Sequence, residues 1–250
     1  MIKTIKTMSK QEKERYTVPR KVQDVIPVRR IWPDGIFLVG NKFSKTYKFS
    51  DINYLVASRE DKESMFLTYS ELLNSLDSGA VTKITINNRR MNQANFETSI
   101  LMPMQGDFRD EYRGEYNQML LDKATGANGI MQEKYITISV VKKDVEEARA
   151  YFSRVGANLI SHFAALGSKC VELDATERLR ILHDFYRQGE ESEFVFNARE
   201  MMKRGHSFKD YICPDGIEKN SDYLKLGGKF CRVLFLKDYA SYIKDNMVTE

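Results

Sequence analysis

Apolar residues recur at every third or fourth position in four stretches of the chain, which is the spacing of one face of an α-helix. The most regular stretch is residues 145–166. Asp144 precedes it and Glu147 lies in its first turn, and both carboxylates can accept amide protons of that turn. Gly167 then supplies a stop. The other predicted helices are 59–77, Ala175–Arg187 and Asp107–Leu121, the last with an apolar side formed by Phe108, Tyr112, Tyr116, Met119 and Leu120.

Segments rich in β-branched and aromatic residues predict strands between these helices. The segments GIFLV and SKTYKFS flank Gly40-Asn41-Lys42 and follow the turn sequence Pro33-Asp34-Gly35, so they predict a hairpin. Residues 88–103 fit neither pattern and stay unassigned. Further strands are predicted at Ala80–Asn87, Lys134–Val141 and Cys170–Leu173.

Strands and helices alternate from residue 80 to residue 187, which predicts a sheet covered by helices on one side. Because some strands are joined as hairpins and others by crossovers, the predicted fold class is α+β. We expect a mixed or antiparallel sheet with helices packed on it. The predicted organisation is a basic, flexible arm at residues 1–25 followed by a single α+β domain at residues 26–250.

One part of the sequence is echoed near the other end of the chain. Gly40–Asp51 (GNKFSKTYKFSD) aligns without a gap to Gly227–Asp238 (GGKFCRVLFLKD), and both copies lie downstream of a Pro-Asp-Gly turn. The match predicts β-hairpin units near both ends of the domain, at residues 33–54 and 214–242, so the domain could comprise two sub-units. Chance similarity between two hairpins stays open as the alternative.

Composition is that of an ordinary folded domain, with 42% hydrophobic and 30% charged residues. The net charge of +4 resides at the amino terminus, where seven basic residues within 1–25 oppose Glu12, Glu14 and Asp24. Such an arm could contact anionic lipid or nucleic acid, although a solvated terminus is the simpler interpretation. The candidate contact residues are Lys3, Lys6, Lys10, Lys13, Arg15, Arg20 and Lys21.

Cysteine usage and hydropathy indicate a cytoplasmic location. Cys170, Cys213 and Cys231 are odd in number and scattered, which suits free thiols in a reducing compartment better than a disulfide framework. The longest apolar runs fall far short of the roughly 20 residues that span a bilayer. The first residues build no secretory signal.

The stretch Gly35–Lys45 (GIFLVGNKFSK) resembles a phosphate-binding loop at first sight. In the G-x-x-x-x-G-K-[ST] motif a lysine follows the second glycine directly, but here Asn41 occupies that position and Phe43 follows Lys42. An apolar strand also lies between the glycines, where the motif needs exposed backbone amides. We therefore predict a hairpin that does not bind phosphate.

No other pattern in the sequence indicates chemistry. His162, His183 and His206 are far apart, and no C-x-x-C or H-E-x-x-H spacing occurs. Cys170 could be paired with His183 or His206, but a chain with three cysteines and three histidines almost always allows such a pairing. We predict no catalytic, cofactor-binding or metal-binding residue and no cofactor in this chain.

Several segments, taken in order, resemble the amino-terminal region of conjugative type IV secretion ATPases of the VirB/CagE/TrbE type, in the form carried by Gram-positive integrative elements. The resemblance begins with VPRKVQDVIPVRRIWPDGIFLVGNKFSKTYKFSDINY (Val18–Tyr54) and the helix that starts REDKE. It continues through FETSILMP (Phe96–Pro103), KYITISV, ERLRILHDFY and the closing GGKFCRVLFLKDYASYI. It covers essentially the whole chain from Val18 onward.

The resemblance implies a division of labour within a longer protein. In the family, a RecA-like motor in the carboxy-terminal half carries the Walker motifs and powers export, and ATP and Mg²⁺ are expected only there. Because no Walker motif occurs here, the resemblance implies a non-enzymatic amino-terminal docking and assembly domain. Its expected partners are inner-membrane components of the secretion channel and other copies of the ATPase, at the inner face of the cell membrane. The alternative is a nucleic-acid-binding module that acts through the basic arm.

Overall fold

The computed structural model describes residues 19–52, 54, 56–90, 101–126, 130–238 and 241–242. The helices are α1 (Val22–Val25), α2 (Arg59–Asn74), α3 (Asp110–Gly126), α4 (Val145–Ala165), α5 (Ala175–Tyr186) and α6 (Ala198–Arg204). The strands are β1 (Val28–Ile31), β2 (Phe37–Val39), β3 (Lys42–Phe49), β4 (Val81–Arg90), β5 (Ile130–Val140), β6 (Cys170–Glu172), β7 (Ile217–Lys219), β8 (Leu224–Leu226) and β9 (Lys229–Cys231). Two short 3₁₀ turns lie at Glu191–Glu193 and Phe208–Tyr211. This mixture of helices and antiparallel sheets confirms the predicted α+β class.

The main sheet has six strands, in the order β1–β2–β3–β5–β4, and β6 pairs with β3 off that path. Each of these pairings is antiparallel. Strand β3 is the centre of the sheet, because β5 follows one edge of it while β2 and β6 share the other edge. Successive side chains of β3 point to opposite faces, so this strand contributes to two different layers.

Helix α4 covers one face of the sheet, with α2 beside it. The predicted cap is confirmed, because the Asp144 side chain accepts a hydrogen bond from the amide of Glu147 and α4 begins at the next residue, Val145. The helix approaches β3 closely at Gly156, where a Cβ would lie only 2.7 Å from the hydroxyl of Tyr47. The side chains that α4 buries are Ala148, Tyr151, Phe152, Val155, Leu159 and Phe163.

The opposite face carries a second buried cluster, which corrects the prediction that helices cover the sheet on one side. Ile36 belongs to the α4 cluster, whereas its neighbour Phe37 belongs to the second cluster, so this apolar pair serves both faces. Arg178 of α5 lies over the ring of Phe37, 4.0 Å from its centre, which places α5 opposite α4. The second cluster comprises Ile26, Val28, Phe37, Ala175, Leu179, Phe194, Ile212 and Cys213.

Strands β4 and β5 extend beyond the rest of the sheet as a two-stranded ribbon. Strand β5 pairs with β3 only from Lys134 to Val140, while its first four residues pair with β4 alone. Strand β5 therefore starts at Ile130, four residues earlier than predicted, and α3 continues past the predicted end at Leu121. Strand β4 takes up residues 88–90 of the unassigned stretch, and residues 91–100 lie outside the described residues.

Strands β7, β8 and β9 form a separate antiparallel sheet. The two aligned segments make the same kind of turn: Gly40 lies between β2 and β3 with φ 61°, and Gly227 lies between β8 and β9 with φ 55°. Both values are in the left-handed region that glycine adopts without strain. The predicted hairpins near both ends of the domain are therefore confirmed, while its division into sub-units stays a prediction.

Candidate functional site

The stretch that resembles a phosphate-binding loop is a β-hairpin, as predicted. Strand β2 lies between its two glycines and β3 begins at Lys42, so strand follows where a phosphate loop would open a helix. Gly35 has φ 77°, and a Cβ at this position would lie 2.0 Å from the carbonyl oxygen of Leu173. The glycines of this stretch therefore serve a turn and a close backbone approach.

A buried arginine that the sequence analysis missed fixes this hairpin. Arg178 Nη1 donates to the carbonyl oxygens of Gly35 and Ser44, each at 2.7 Å, and Nη2 donates to the Ser44 hydroxyl at 3.1 Å. Burial lowers the pKa of Arg178 to about 9. A signal for it exists in the sequence, because Arg178 lies one turn after Ala175 on the apolar side of α5, where a hydrophobic residue is expected.

A charged pair lies on the α4 side of the same strand. Lys45 Nζ is 2.5 Å from Glu172 Oε2, which ties β3 to β6, and the Lys45 side chain is only 10% exposed. Beside it, Tyr47 donates to the carbonyl of Phe152 at 3.3 Å. Burial, followed by the charge of Glu172, raises the pKa of Tyr47, so the phenol stays protonated and cannot act as a base near neutral pH.

Cys170 and His183 are placed as packing residues. Burial and then the charge of Glu172 raise the pKa of Cys170 to about 11, so it stays a thiol rather than the thiolate that nucleophiles and metal ligands need. His183 is buried, and its ring centre lies 5.1 Å from that of Phe194. Within the described part of the chain, no group of three or more His, Cys, Asp or Glu residues could hold a metal ion.

Helix α3 and the turn before it display an apolar surface. Phe108, Tyr112, Tyr116 and Met119, here called the α3 patch, are 82%, 68%, 44% and 42% exposed. Phe108 lies in the turn that precedes α3, and the spacing of four and three residues places the other three on one side of the helix. Residue spacing predicts this apolar side, and the described residues leave it uncovered. None of the α3 side chains described, from Asp110 to Lys123, is buried.

The segment that precedes α3 is fastened to the helix. The Asn117 side chain accepts from the amide of Met102 at 2.8 Å and donates to its carbonyl at 2.9 Å. Arg113 Nη1 lies 2.5 Å from both Asp107 Oδ1 and Asp110 Oδ1. These contacts join the segment 101–109 to the helix, so the α3 patch belongs to an ordered unit.

Hydrogen-bond partners lower the pKa values of two carboxylates in this unit. The hydrogen bond from Arg113 lowers the pKa of Asp107. The amide of Gln105 and then Arg113 lower the pKa of Asp110. Both carboxylates are therefore ionised at neutral pH, and they are occupied in holding the segment rather than available for catalysis.

Charged residues of both signs border the α3 patch. Glu115 and Asp122 are exposed and lie three residues, about one turn, after Tyr112 and Met119. Lys123 is exposed beside Asp122, also about one turn after Met119. An apolar stripe with such a border is complementary to an apolar groove with a charged rim.

Most of the predicted basic arm lies outside the described residues, which include only Arg20 and Lys21 of its seven candidates, both exposed. The arm ends in α1, which Lys209 holds by donating to the carbonyls of Gln23 and Ile26, each at 2.8 Å. The candidates not described are Lys3, Lys6, Lys10, Lys13 and Arg15.

No protein-family model matches this chain, and no curated protein matches it either. Across the ranges that the structure describes, no helix has both the length and the hydropathy that crossing a bilayer requires. Membership of the secretion-ATPase family is therefore a proposal.

Proposed function

We propose that this chain is a non-catalytic docking and assembly domain of an ATPase that powers conjugative DNA transfer through a type IV secretion system. Two lines support the proposal. The sequence segments from Val18 onward resemble the amino-terminal region of that family. Three buried charged or polar side chains, Arg178 of α5 and Lys45 and Tyr47 of β3, join strands and helices.

The observation that carries the docking role is the α3 patch. Three large apolar side chains lie on one side of α3, and Phe108 lies in the preceding segment, which Asn117 and Arg113 bind to the helix. A helix with anchors at this spacing is a common way to enter a hydrophobic groove on another protein. Because the helix that would enter the groove is already ordered, binding does not have to supply the entropy cost of folding α3.

The partner that fits this surface is a protein with an apolar groove and a charged rim. Within the proposed system, that partner is an inner-membrane component of the secretion channel, which would bring the chain to the inner face of the cell membrane. ATP and Mg²⁺ would then act only in the motor of the longer protein.

Photo-crosslinking tests the docking role. A crosslinking amino acid placed at Tyr116 is expected to capture a membrane component of the transfer machinery in cells that carry it. The capture should disappear when Tyr112 and Met119 are both changed to Glu, because a charge cannot enter an apolar groove unpaired. Phe185 of α5, which is 57% exposed, is the matched control position. Equal capture from Phe185, or capture that survives both Glu substitutions, would contradict the proposal.

Catalysis by the chain is tested separately. We expect the purified 250-residue chain to hydrolyse no ATP, and Lys42→Ala to leave its nucleotide binding unchanged, since Lys42 starts a strand. Hydrolysis by this chain would contradict a motor-free domain. The nucleic-acid alternative predicts a salt-dependent DNA affinity that is lost when residues 1–25 are deleted.

A further inference from the structure

The two aligned hairpins continue into segments with opposite environments. In the first copy, Thr46–Phe49 is the second half of β3, paired with β5 along one edge and partly with β6 along the other. In the second copy, the aligned residues Val233, Leu234, Phe235 and Leu236 are 73%, 84%, 82% and 68% exposed. They belong to no strand or helix. We call Val233–Leu236 the donor segment.

The donor segment has the composition of a buried strand. Four consecutive apolar residues, with a β-branched and an aromatic member, are typical of a strand covered on both faces. Soluble proteins rarely leave such a continuous apolar surface in water without a binding role. Among the described residues, no strand pairs with this segment.

The main sheet offers an edge for such pairing. Strand β4 is last in the strand order, and no strand among the described residues pairs with its outer side. Val81, Ile84 and Ile86 of β4 are 51%, 45% and 57% exposed. Ile84 pairs with Ile136 of the α4 cluster, so Ile84 and Ile86 lie on the α4 face and Val81 on the other. A strand added here would find apolar contacts on both faces.

We propose that the donor segment of one copy pairs with the outer edge of β4 in a second copy, and that the exchange is reciprocal. Two such contacts would cover on the order of 1,500 Å² in total, which is the size of a standard specific interface. Pairing of β4 with itself is less favourable, because the strand contains Lys83, Arg89 and Arg90 and no acidic residue. The donor segment brings no charge of its own.

This inference deepens the assembly part of the proposed function and rests on it. The contact between two copies can nevertheless be measured whether or not the chain serves in secretion. Sedimentation velocity of the full chain over a concentration series is expected to show a monomer–dimer equilibrium. The double change Val233→Asp with Phe235→Asp should weaken dimerisation at least about ten-fold. Val195→Asp is the matched control, because Val195 is 76% exposed and lies outside both segments. Ile84→Lys, a charge on the acceptor edge, should weaken dimerisation equally.

Mixing the two variants separates strand exchange from other contacts. The Val233→Asp/Phe235→Asp copy keeps an intact β4 edge, and the Ile84→Lys copy keeps an intact donor segment. At concentrations where the natural chain dimerises, each variant alone should be monomeric. Mixed at higher concentration, they should form a heterodimer through the one remaining contact, weaker than the natural dimer because the second contact is lost. A natural chain that stays monomeric, a dimer that survives the donor substitutions, or a mixture without heterodimer would overturn the proposal. None of these results bears on crosslinking from the α3 patch, so failure of the two proposals is distinguishable.

Discussion

The two Pro-Asp-Gly turns of the chain are each held by an arginine from α5 or its end, yet in different surroundings. Arg178 reaches the carbonyl of Gly35 from a buried position. Arg187, the residue that follows α5, donates to the carbonyl of Cys213 and to Asp215, at 2.7 and 2.8 Å, and stays partly exposed. The same tripeptide thus takes two backbone conformations, with φ 77° at Gly35 and no positive φ at Gly216, and the neighbouring elements decide how deeply each turn is buried.

The strands after the turns differ more. Phe43 is 6% exposed and the aligned Phe230 is 70% exposed, although both follow a glycine turn and a lysine. The first strand has partners on both edges, whereas the second pairs, among the described residues, with β8 alone and over three residues. In our account the second strand is completed between molecules, and the following substitutions probe that difference.

The largest contrast is expected at one aligned pair. Tyr47→Ala should lower the free energy of unfolding by about 4 kcal/mol, because it empties a fully buried site between β3 and α4. Leu234→Ala, at the aligned position, should change it by less than about 0.5 kcal/mol at concentrations where the chain is monomeric. Urea denaturation measures both. Similar losses at the two positions would show that the donor segment is buried within its own chain.

The glycines of the two turns give the next contrast. Gly35→Ala should cost about 2–3 kcal/mol, because φ is 77° and the new Cβ would meet the carbonyl of Leu173. Gly216→Ala should cost less than about 0.5 kcal/mol, since a Cβ there meets no atom within 4 Å and φ is not positive. Thermal and urea unfolding of the two variants check this. A costly Gly216→Ala would mean that the second turn is packed as tightly as the first.

The two arginines come third. Arg178→Met should cost about 2 kcal/mol, because it leaves the carbonyls of Gly35 and Ser44 buried without these donors. Arg187→Met should cost less than about 1 kcal/mol, since its partner Asp215 is largely exposed to water. Urea denaturation of both variants, with the exposed Arg180→Met as control, tests the order. A larger loss for Arg187→Met would mean that Arg187 contributes more to the stability of its turn than Arg178 does, which would contradict this order.

The smallest effect is one that the two hairpins should share. Gly40→Ala and Gly227→Ala should each cost about 1 kcal/mol, because both glycines have positive φ and open space around the missing side chain. Hydrogen exchange of the strands beside each turn measures the local loss. Clearly unequal losses would indicate that the two turns are not equivalent in backbone strain.

Local patterns were sufficient to predict several elements. The Asp144 cap, the face of α4 and both glycine turns follow from residue spacing, because capping and positive φ are short-range properties. Residue spacing did not predict that α5 packs on the face opposite α4. Ile36-Phe37 is an apolar run in the sequence whether its side chains pack on one face of the sheet or on both. The α3 patch was identified as a helix side, but spacing alone cannot show that nothing in the described chain covers it. The donor segment reads as an ordinary strand for the same reason.

Hydrogen exchange of the amides in Val233–Leu236, followed in the full chain from low to high concentration, tests the central contrast most directly. Our account predicts fast exchange at low concentration and clear protection at high concentration, with protection of the β4 amides rising in parallel. The same series with Ile84→Lys should show no protection of the donor segment. Exchange at the rate of an unstructured peptide at every concentration would contradict the account, as would full protection in the monomer.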